Sequence, residues 1–211
     1  MAKSSFYAYY LVEEQTRGIV ESWDECAAAT AGRNARYRGF PSREEAVRWL
    51  DGGAVYEDRK AKKAGLRQEL PQDAIYFDSG TGRGAGTEVN VTDREGTPMA
   101  FMAAPADVIT EFGTVRLTPG RTNNYGELMG CYLAMKIAMK QGVKTVCGDS
   151  RLVLDYWSRG RVSADAVAQD ADLAMLARRT AELRRMYEAA GGVLIHVPGG
   201  VNPADLGFHR D

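Results

Sequence analysis

The chain of 211 residues is long enough for one large domain or two small ones. Its composition, with 45% hydrophobic and 26% charged residues, is typical of a soluble globular protein. The segment from Met1 to Phe6 is too short and too polar to be a signal peptide. No apolar run approaches the roughly 18 residues that are needed to cross a membrane. We therefore expect a cytoplasmic protein. The net charge of −1 gives no support to nucleic-acid binding, since many domains with that function are strongly basic.

Cysteine and histidine are too few to favour a metal site or a catalytic triad built on them. Cys26, Cys131 and Cys147 form no CxxC pair. Their scatter argues against a disulfide framework and a structural zinc site, and we expect small buried thiols. The histidines are His196 and His209. Any metal must therefore be held by oxygen, which favours hard cations such as Mg²⁺ or Mn²⁺.

The first 52 residues are predicted to form a small α+β module. The aromatic-rich segment 6–11 and the segments 19–20 and 36–38 are typical of strands. Ser22 and Ser42 each precede a glutamate by three residues, which is the spacing of a capping box, so a helix should follow each serine. The predicted order is strand, strand, helix, strand, helix.

After the module, residues 53–71 are predicted to be a linker and residues 72–211 a larger α/β domain. We predict that three of its strands form a meander, at 74–77, 87–91 and 99–103, and that two more follow at 144–147 and 193–197. Helices are predicted at 124–140, 150–158 and 166–190, with a short helix or turn at 202–209. The expected fold is α/β, with a five-stranded mixed sheet flanked by helices and preceded by the small α+β module.

Four carboxylates stand at predicted strand ends or helix starts, where ligand sites of α/β sheets usually lie. Asp78 ends the first strand of the larger domain, and Glu127 lies in the first turn of its long helix. Asp149 ends the fourth strand, and Asp205 opens the C-terminal segment. Taken singly, each has a structural explanation, because Asp often caps a helix and Glu in a first turn suits the helix dipole.

The neighbourhoods of the four carboxylates favour a shared site. They lie in the segments YFDSGTGRG, RTNNYGELMG, CGDSRLVL and VNPADL. In this order, these segments resemble the active-site motifs of the type 1 ribonuclease H family. That family has Asp at the end of its first strand, Thr-Asn-Asn-x-x-Glu-Leu opening its first helix, Asp-Ser after its fourth strand and an Asn followed closely by Ala-Asp near its C-terminus. The resemblance covers residues 72–211 and implies a ribonuclease H-like fold.

The resemblance implies an endoribonuclease that cuts the RNA strand of an RNA–DNA hybrid duplex. Asp78, Glu127, Asp149 and Asp205 would be its catalytic residues and its metal ligands. Four converging carboxylates would repel one another unless two divalent cations, roughly 4 Å apart, neutralise them. The family mechanism uses one ion to generate the attacking hydroxide and the other to stabilise the leaving 3′-oxygen, giving 5′-phosphate and 3′-hydroxyl ends. We expect two Mg²⁺ ions, with Mn²⁺ as a substitute.

Selection of RNA over DNA requires contact with the 2′-hydroxyl group, which both donates and accepts hydrogen bonds. The amides of Asn123 and Asn124 can do both, and the resemblance assigns them to backbone and minor-groove contacts. An ordinary helix N-cap explains the two asparagines equally well. Ser79 and Gly80 would let the strand end approach the RNA, and Thr122 would contact the DNA phosphate.

Residues 5–51 resemble the hybrid-binding domain found at the N-terminus of many cellular ribonucleases H and in a caulimovirus protein. The matching stretches are FYA, SWDEC and RYRGF. The resemblance implies that Tyr7, Trp23 and Tyr37 contact the duplex and that Arg38 contacts a phosphate. The alternative is that these aromatic residues form the core of the module. Because the first 70 residues hold 12 Lys+Arg and 11 Asp+Glu, we expect weaker hybrid binding than in a lysine-rich homologue.

The last loop departs from the family pattern. Many relatives carry a histidine in a Gly-rich loop before the final Asp, whereas this chain has Pro-Gly-Gly-Val at 198–201. Slower turnover would follow, unless His209 replaces that histidine.

Two other functions compete with ribonuclease H activity. One is that of another metal nuclease of the same superfold, such as an exonuclease or an integrase. Proofreading exonucleases usually have Asp-x-Glu in the first strand, whereas this chain has Asp78-Ser79-Gly80. The other is non-catalytic binding of hybrid or double-stranded RNA, against which four intact carboxylates argue. We expect no membrane association and no obligatory protein partner.

Overall fold

The structure is a computed structural model that describes residues 4–56, 59–81, 84 and 86–207. The chain divides into two compact units, Met1–Arg59 and Lys60–Asp211. The division falls inside the predicted linker of residues 53–71, where a helix, α3 (Arg59–Gln68), lies. The predicted domain boundaries themselves stay predictions.

The first unit has the predicted element order. Its elements are β1 (Phe6–Leu11), β2 (Thr16–Val20), α1 (Trp23–Thr30), β3 (Ala35–Phe40) and α2 (Arg43–Asp51). The strands form an antiparallel sheet in the order β2-β1-β3. The side chain of Ser22 accepts a hydrogen bond from Glu25 N at 3.2 Å, and Ser42 accepts one from Glu45 N at 3.3 Å. Both predicted capping serines therefore start a helix.

The core of the first unit lies between β1 and α2. Ala8 on β1 and Phe40 on β3 are buried together with Ala46 and Leu50 of α2. Successive side chains of a strand point to opposite faces, so Tyr7 lies on the other side of the sheet from Ala8.

The second unit contains the predicted five-stranded mixed sheet. Its strands are β4 (Ile75–Gly80), β5 (Glu88–Thr92), β6 (Val115–Arg116), β7 (Thr145–Gly148) and β8 (Val193–His196). The order is β6-β5-β4-β7-β8, with antiparallel pairing from β6 to β4 and parallel pairing from β4 to β8. After α3, its helices are α4 (Asn123–Gln141), α5 (Arg151–Asp155), α6 (Ala164–Gln169) and α7 (Ala171–Ala189).

The strand predicted at 99–103 is wrong. Residues Ala100–Met102 form a 3-10 helix, and the third strand of the meander is the two-residue β6. A short apolar run is compatible with either a buried strand or a buried helical turn, and Ala100 is fully buried in the core. The predicted tail at 202–209 contains a turn at residues 203–204 and no helix as far as residue 207, and residues 208 and 209 lie outside the described residues.

Helix α4 approaches the sheet closely because two of its core-facing positions are glycine. A β-carbon at Gly126 would lie 2.8 Å from Ser79 Oγ and 2.7 Å from Thr87 Cγ2. A β-carbon at Gly130 would lie 3.2 Å from the ring of Phe77. This close approach brings the first turn of α4, with Glu127, to the end of β4.

Two expectations drawn from the sequence concern the cysteines and membrane-spanning helices. All three cysteines are free and buried, as predicted. Within the described part of the chain, no helix combines the length and the apolar character needed to cross a bilayer.

Candidate active site

Three of the four predicted carboxylates come together. One oxygen each of Asp78, Glu127 and Asp149 forms a group in which all the atoms lie within 4.8 Å of one another. The strand register explains two of them, since Tyr76 of β4 pairs with Cys147 of β7 in a parallel ladder. Asp78 lies two residues after Tyr76, and Asp149 lies two residues after Cys147. Both aspartates therefore lie on the same face of the sheet, where these two strands end.

Glu127 joins the aspartates from the first turn of α4. Its Oε1 accepts a hydrogen bond from Ser79 N at 3.1 Å, and the Ser79 hydroxyl lies 3.4 Å from the same oxygen. Its Oε2 is buried and has no hydrogen-bond partner among the described residues. A buried carboxylate oxygen without a donor is costly unless a cation or a water molecule occupies its open side.

The electrostatics of the group favour a bound cation. Burial and the neighbouring Asp149 raise the pKa of Asp78. Burial, followed by the charges of Asp78 and Asp149, raises the pKa of Glu127. Because each carboxylate opposes ionisation of the others, a divalent cation would stabilise all three in the ionised form. The oxygen donors suit a hard cation such as Mg²⁺ or Mn²⁺, so the residues present fit the metal that the resemblance implies.

Asp205 stands outside this group. It is exposed, and its carboxylate accepts a hydrogen bond from Gly207 N at 2.8 Å. The next residue, Leu206, donates its N–H to Asp78 Oδ2 at 3.3 Å. The turn that carries Asp205 therefore reaches the carboxylate group, and metal binding by Asp205 itself stays a prediction.

Two buried asparagines fix this C-terminal turn to the sheet. Asn202 Nδ2 donates to Phe77 O on β4 at 2.9 Å, and Asn90 Nδ2 on β5 donates to Ala204 O at 2.9 Å. Asn202 lies in the VNPADL segment, but neither it nor Asn90 was predicted to be a site residue. A polar residue inside the predicted strand at 87–91 was the available signal for Asn90.

Gly199 packs closely against the carboxylate of Asp149. A β-carbon built at Gly199 would overlap Asp149 Oδ2, whereas one at the neighbouring Gly200 would meet nothing within 4 Å. The backbone at Gly199 therefore contacts the carboxylate directly. This glycine lies in the loop that was noted for its missing histidine.

The predicted substrate residues of this unit surround the start of α4. Thr122 is the N-cap, since its Oγ1 accepts a hydrogen bond from Tyr125 N at 3.2 Å. The N-cap explanation of Asn123 and Asn124 is therefore wrong, because they are the first two residues of the helix and are exposed. The Ser79 hydroxyl lies 2.8 Å from Asn123 O and 3.0 Å from its Oδ1. Gly80, the last residue of β4, is half-buried.

In the first unit, three predicted contact residues form a continuous aromatic surface. The ring centres of Tyr7 and Trp23 lie 5.9 Å apart, and those of Trp23 and Tyr37 lie 5.5 Å apart. Trp23 is 46% and Tyr37 42% exposed, so these two rings do not belong to the core of the module. The guanidinium group of the exposed Arg38 lies 5.4 Å from the ring centre of Phe40.

Comparison with known proteins supports the resemblance predicted for the first unit. Residues 7–50 match the ribonuclease H1 N-terminal domain family. The first unit is therefore similar to that domain, and the chain resembles ribonuclease H1 with an N-terminal domain, as its sequence indicated. A similar solved structure is that of RNase H1 from the halophilic archaeon Halobacterium salinarum NRC-1, at 22% identity over 62% of this chain and 89% of that chain, with a TM-score of 0.39. A search of curated proteins finds no match.

Proposed function

We propose that the chain is an endoribonuclease that hydrolyses the RNA strand of RNA–DNA hybrids with the help of two divalent cations. The observation that carries this proposal is the meeting of Asp78, Glu127 and Asp149 at one edge of the sheet. Among the described residues, no lysine or arginine forms an ion pair with Asp78 or Glu127, although both are buried. Without a cation, the raised pKa values of these two carboxyl groups favour their neutral forms, whereas a bound divalent cation would stabilise the ionised forms.

The carboxylates would hold the cations, and Asp205 is proposed to complete the ligand set. Bound cations would neutralise the acidic group and polarise the scissile phosphate. Ser79 orients Glu127 through its backbone N–H, so that the second carboxylate oxygen remains open to the site. Water adds to phosphorus and the P–O3′ bond breaks, which gives the proposed 5′-phosphate and 3′-hydroxyl ends.

Selection of RNA over DNA is assigned to residues at the start of α4 and the end of β4. Asn123 and Asn124 present exposed amides beside Glu127, and Ser79 positions the first of them. We propose that these amides contact the 2′-hydroxyl and the minor groove, as Ser79 and Gly80 let the RNA approach the strand end. Thr122 is proposed to contact a phosphate of the DNA strand.

Hybrid binding is assigned to residues 1–52 and cleavage to residues 72–211, with residues 53–71 joining them. The exposed rings of Trp23 and Tyr37, next to Tyr7, offer flat apolar surfaces to sugars, and Arg38 offers a charge to phosphate. A second binding module raises the effective concentration of substrate at the catalytic unit.

A cleavage assay tests the proposal. Labelled RNA–DNA, RNA–RNA and DNA–DNA duplexes are incubated with the full chain in Mg²⁺, in Mn²⁺ and in EDTA. We expect cleavage of the RNA strand of the hybrid only, and only with a divalent cation. Cleavage of DNA would indicate another metal nuclease, and binding without any cleavage would indicate a non-catalytic binder.

A further inference from the structure

The segment after α2, residues 52–56, folds back onto β3. Because β3 is an edge strand of the β2-β1-β3 sheet, one side of its backbone has no neighbouring strand within the described part of the chain. At Tyr37 a side chain takes the place of that strand. Tyr37 N donates to Tyr56 Oη at 2.8 Å, and Tyr56 Oη donates to Tyr37 O at 3.0 Å. One phenol hydroxyl therefore satisfies both backbone groups of this residue.

Tyr56 is itself held by aromatic packing. Its ring centre lies 6.0 Å from that of Trp49, which in turn lies 5.7 Å from Phe40 of the core. Trp49 Nε1 donates a hydrogen bond to Val55 O at 2.9 Å, which fixes the backbone next to Tyr56. The buried Ala54 has a φ of 52°, in the left-handed region, which turns the chain back toward β3.

We propose that Tyr56 is a positioning residue that holds Tyr37 in the duplex-binding surface. The inference rests on the proposed function, which gives Tyr37 a role in binding. Tyr37 carries the third ring of that surface, and its ring contacts Trp23. A backbone shift at Tyr37 would displace its ring from Trp23, because side-chain position follows the backbone. Tyr56 lies beyond residues 7–50, so the chain supplies this support from outside the matched family module.

The test is Tyr56→Phe in the full chain, which removes the hydroxyl and keeps the ring. Binding to an RNA–DNA hybrid is measured in EDTA, so that the substrate stays intact. We expect the Kd to rise about three- to tenfold, as for the loss of one or two net hydrogen bonds. The slope of log Kd against log salt should not change, because no cation is lost. Hydrogen exchange at the Tyr37 amide should become faster.

Two controls define the outcomes. Tyr10→Phe changes a tyrosine of the same module whose hydroxyl has no hydrogen-bond partner among the described residues, and it should leave Kd and exchange unchanged. Tyr37→Ala tests the surface itself, and unchanged binding in that variant would overturn the proposed duplex surface. If Tyr37→Ala binds weakly but Tyr56→Phe keeps native affinity, the positioning role is wrong. Weaker binding of Tyr56→Phe without faster exchange would also overturn it, since Tyr56 would then contact the duplex itself.

Discussion

At the scale of single residues, Asp149 offers the most direct test of the acidic site. We predict that Asp149→Asn lowers the cleavage rate by roughly a thousandfold, or about 4 kcal/mol in the barrier, while hybrid binding persists. The amide would remove one charged ligand from the group but leave the N-terminal module intact. The measurement is kcat in Mg²⁺ together with Kd in EDTA. Asp155→Asn, an exposed carboxylate at the end of α5, is the matched control and should cleave normally.

Glu127 gives a prediction about pH and metal. Its folded-state pKa is raised above that of the unfolded chain, so without metal its ionisation destabilises the fold. Stability is therefore full below the ordinary carboxyl pKa of about 4 and falls as the pH rises toward the raised value. Glu127→Gln removes this penalty while keeping an oxygen for Ser79 N. We expect the variant to gain about 1–2 kcal/mol over the native chain at pH 8 in EDTA, or roughly 4 °C in Tm.

Thermal unfolding at pH 4 and pH 8 checks this prediction. At pH 4 the two proteins should have similar Tm values, since both side chains are then neutral. Mg²⁺ at pH 8 should raise the Tm of the native chain more than that of the variant. A lower Tm for Glu127→Gln in EDTA at pH 8 would show that the ionised carboxylate stabilises the apo fold instead.

At the scale of elements, local signals predicted structure better than nonlocal ones. The serines at positions 22 and 42 predicted both helix starts, because a cap involves atoms only three residues apart. The third strand of the meander was misplaced, because the two residues of β6 are defined by pairing with β5 rather than by their own pattern. Asn90 was missed for the same reason, since its partner, Ala204 O, is 114 positions away.

The short 3-10 helix Gly199–Val201 gives an element-scale prediction. Gly199→Ala would push a methyl group against Asp149 Oδ2 and displace the carboxylate. We expect kcat and the affinity for Mg²⁺ each to fall about 10- to 100-fold, as for changes that disorient a metal ligand. Mg²⁺ affinity is measured from the rise of Tm with metal concentration. Gly200→Ala is the matched control, and equal losses in both variants would point to a general effect on this short helix.

At the scale of the whole molecule, the two units should separate binding from cleavage. We predict that removal of residues 1–59 raises KM for the hybrid about tenfold or more and leaves kcat in Mg²⁺ nearly unchanged. The carboxylate group lies entirely in the unit Lys60–Asp211, so its chemistry does not need the first unit. Steady-state kinetics and circular dichroism are the measurements. A folded deletion variant with no activity would contradict the modular assignment.

The attachment of the C-terminal turn to β4 and β5 determines when the cleft can form. Its hydrogen bonds join residues 114, 125 and 128 positions apart, and contacts of such long range form only after large loops have closed. During translation, β4 and α4 leave the ribosome long before Asn202 is added. A nascent chain would therefore lack the finished cleft, and the proposed nuclease activity would become available only when synthesis of this segment is complete.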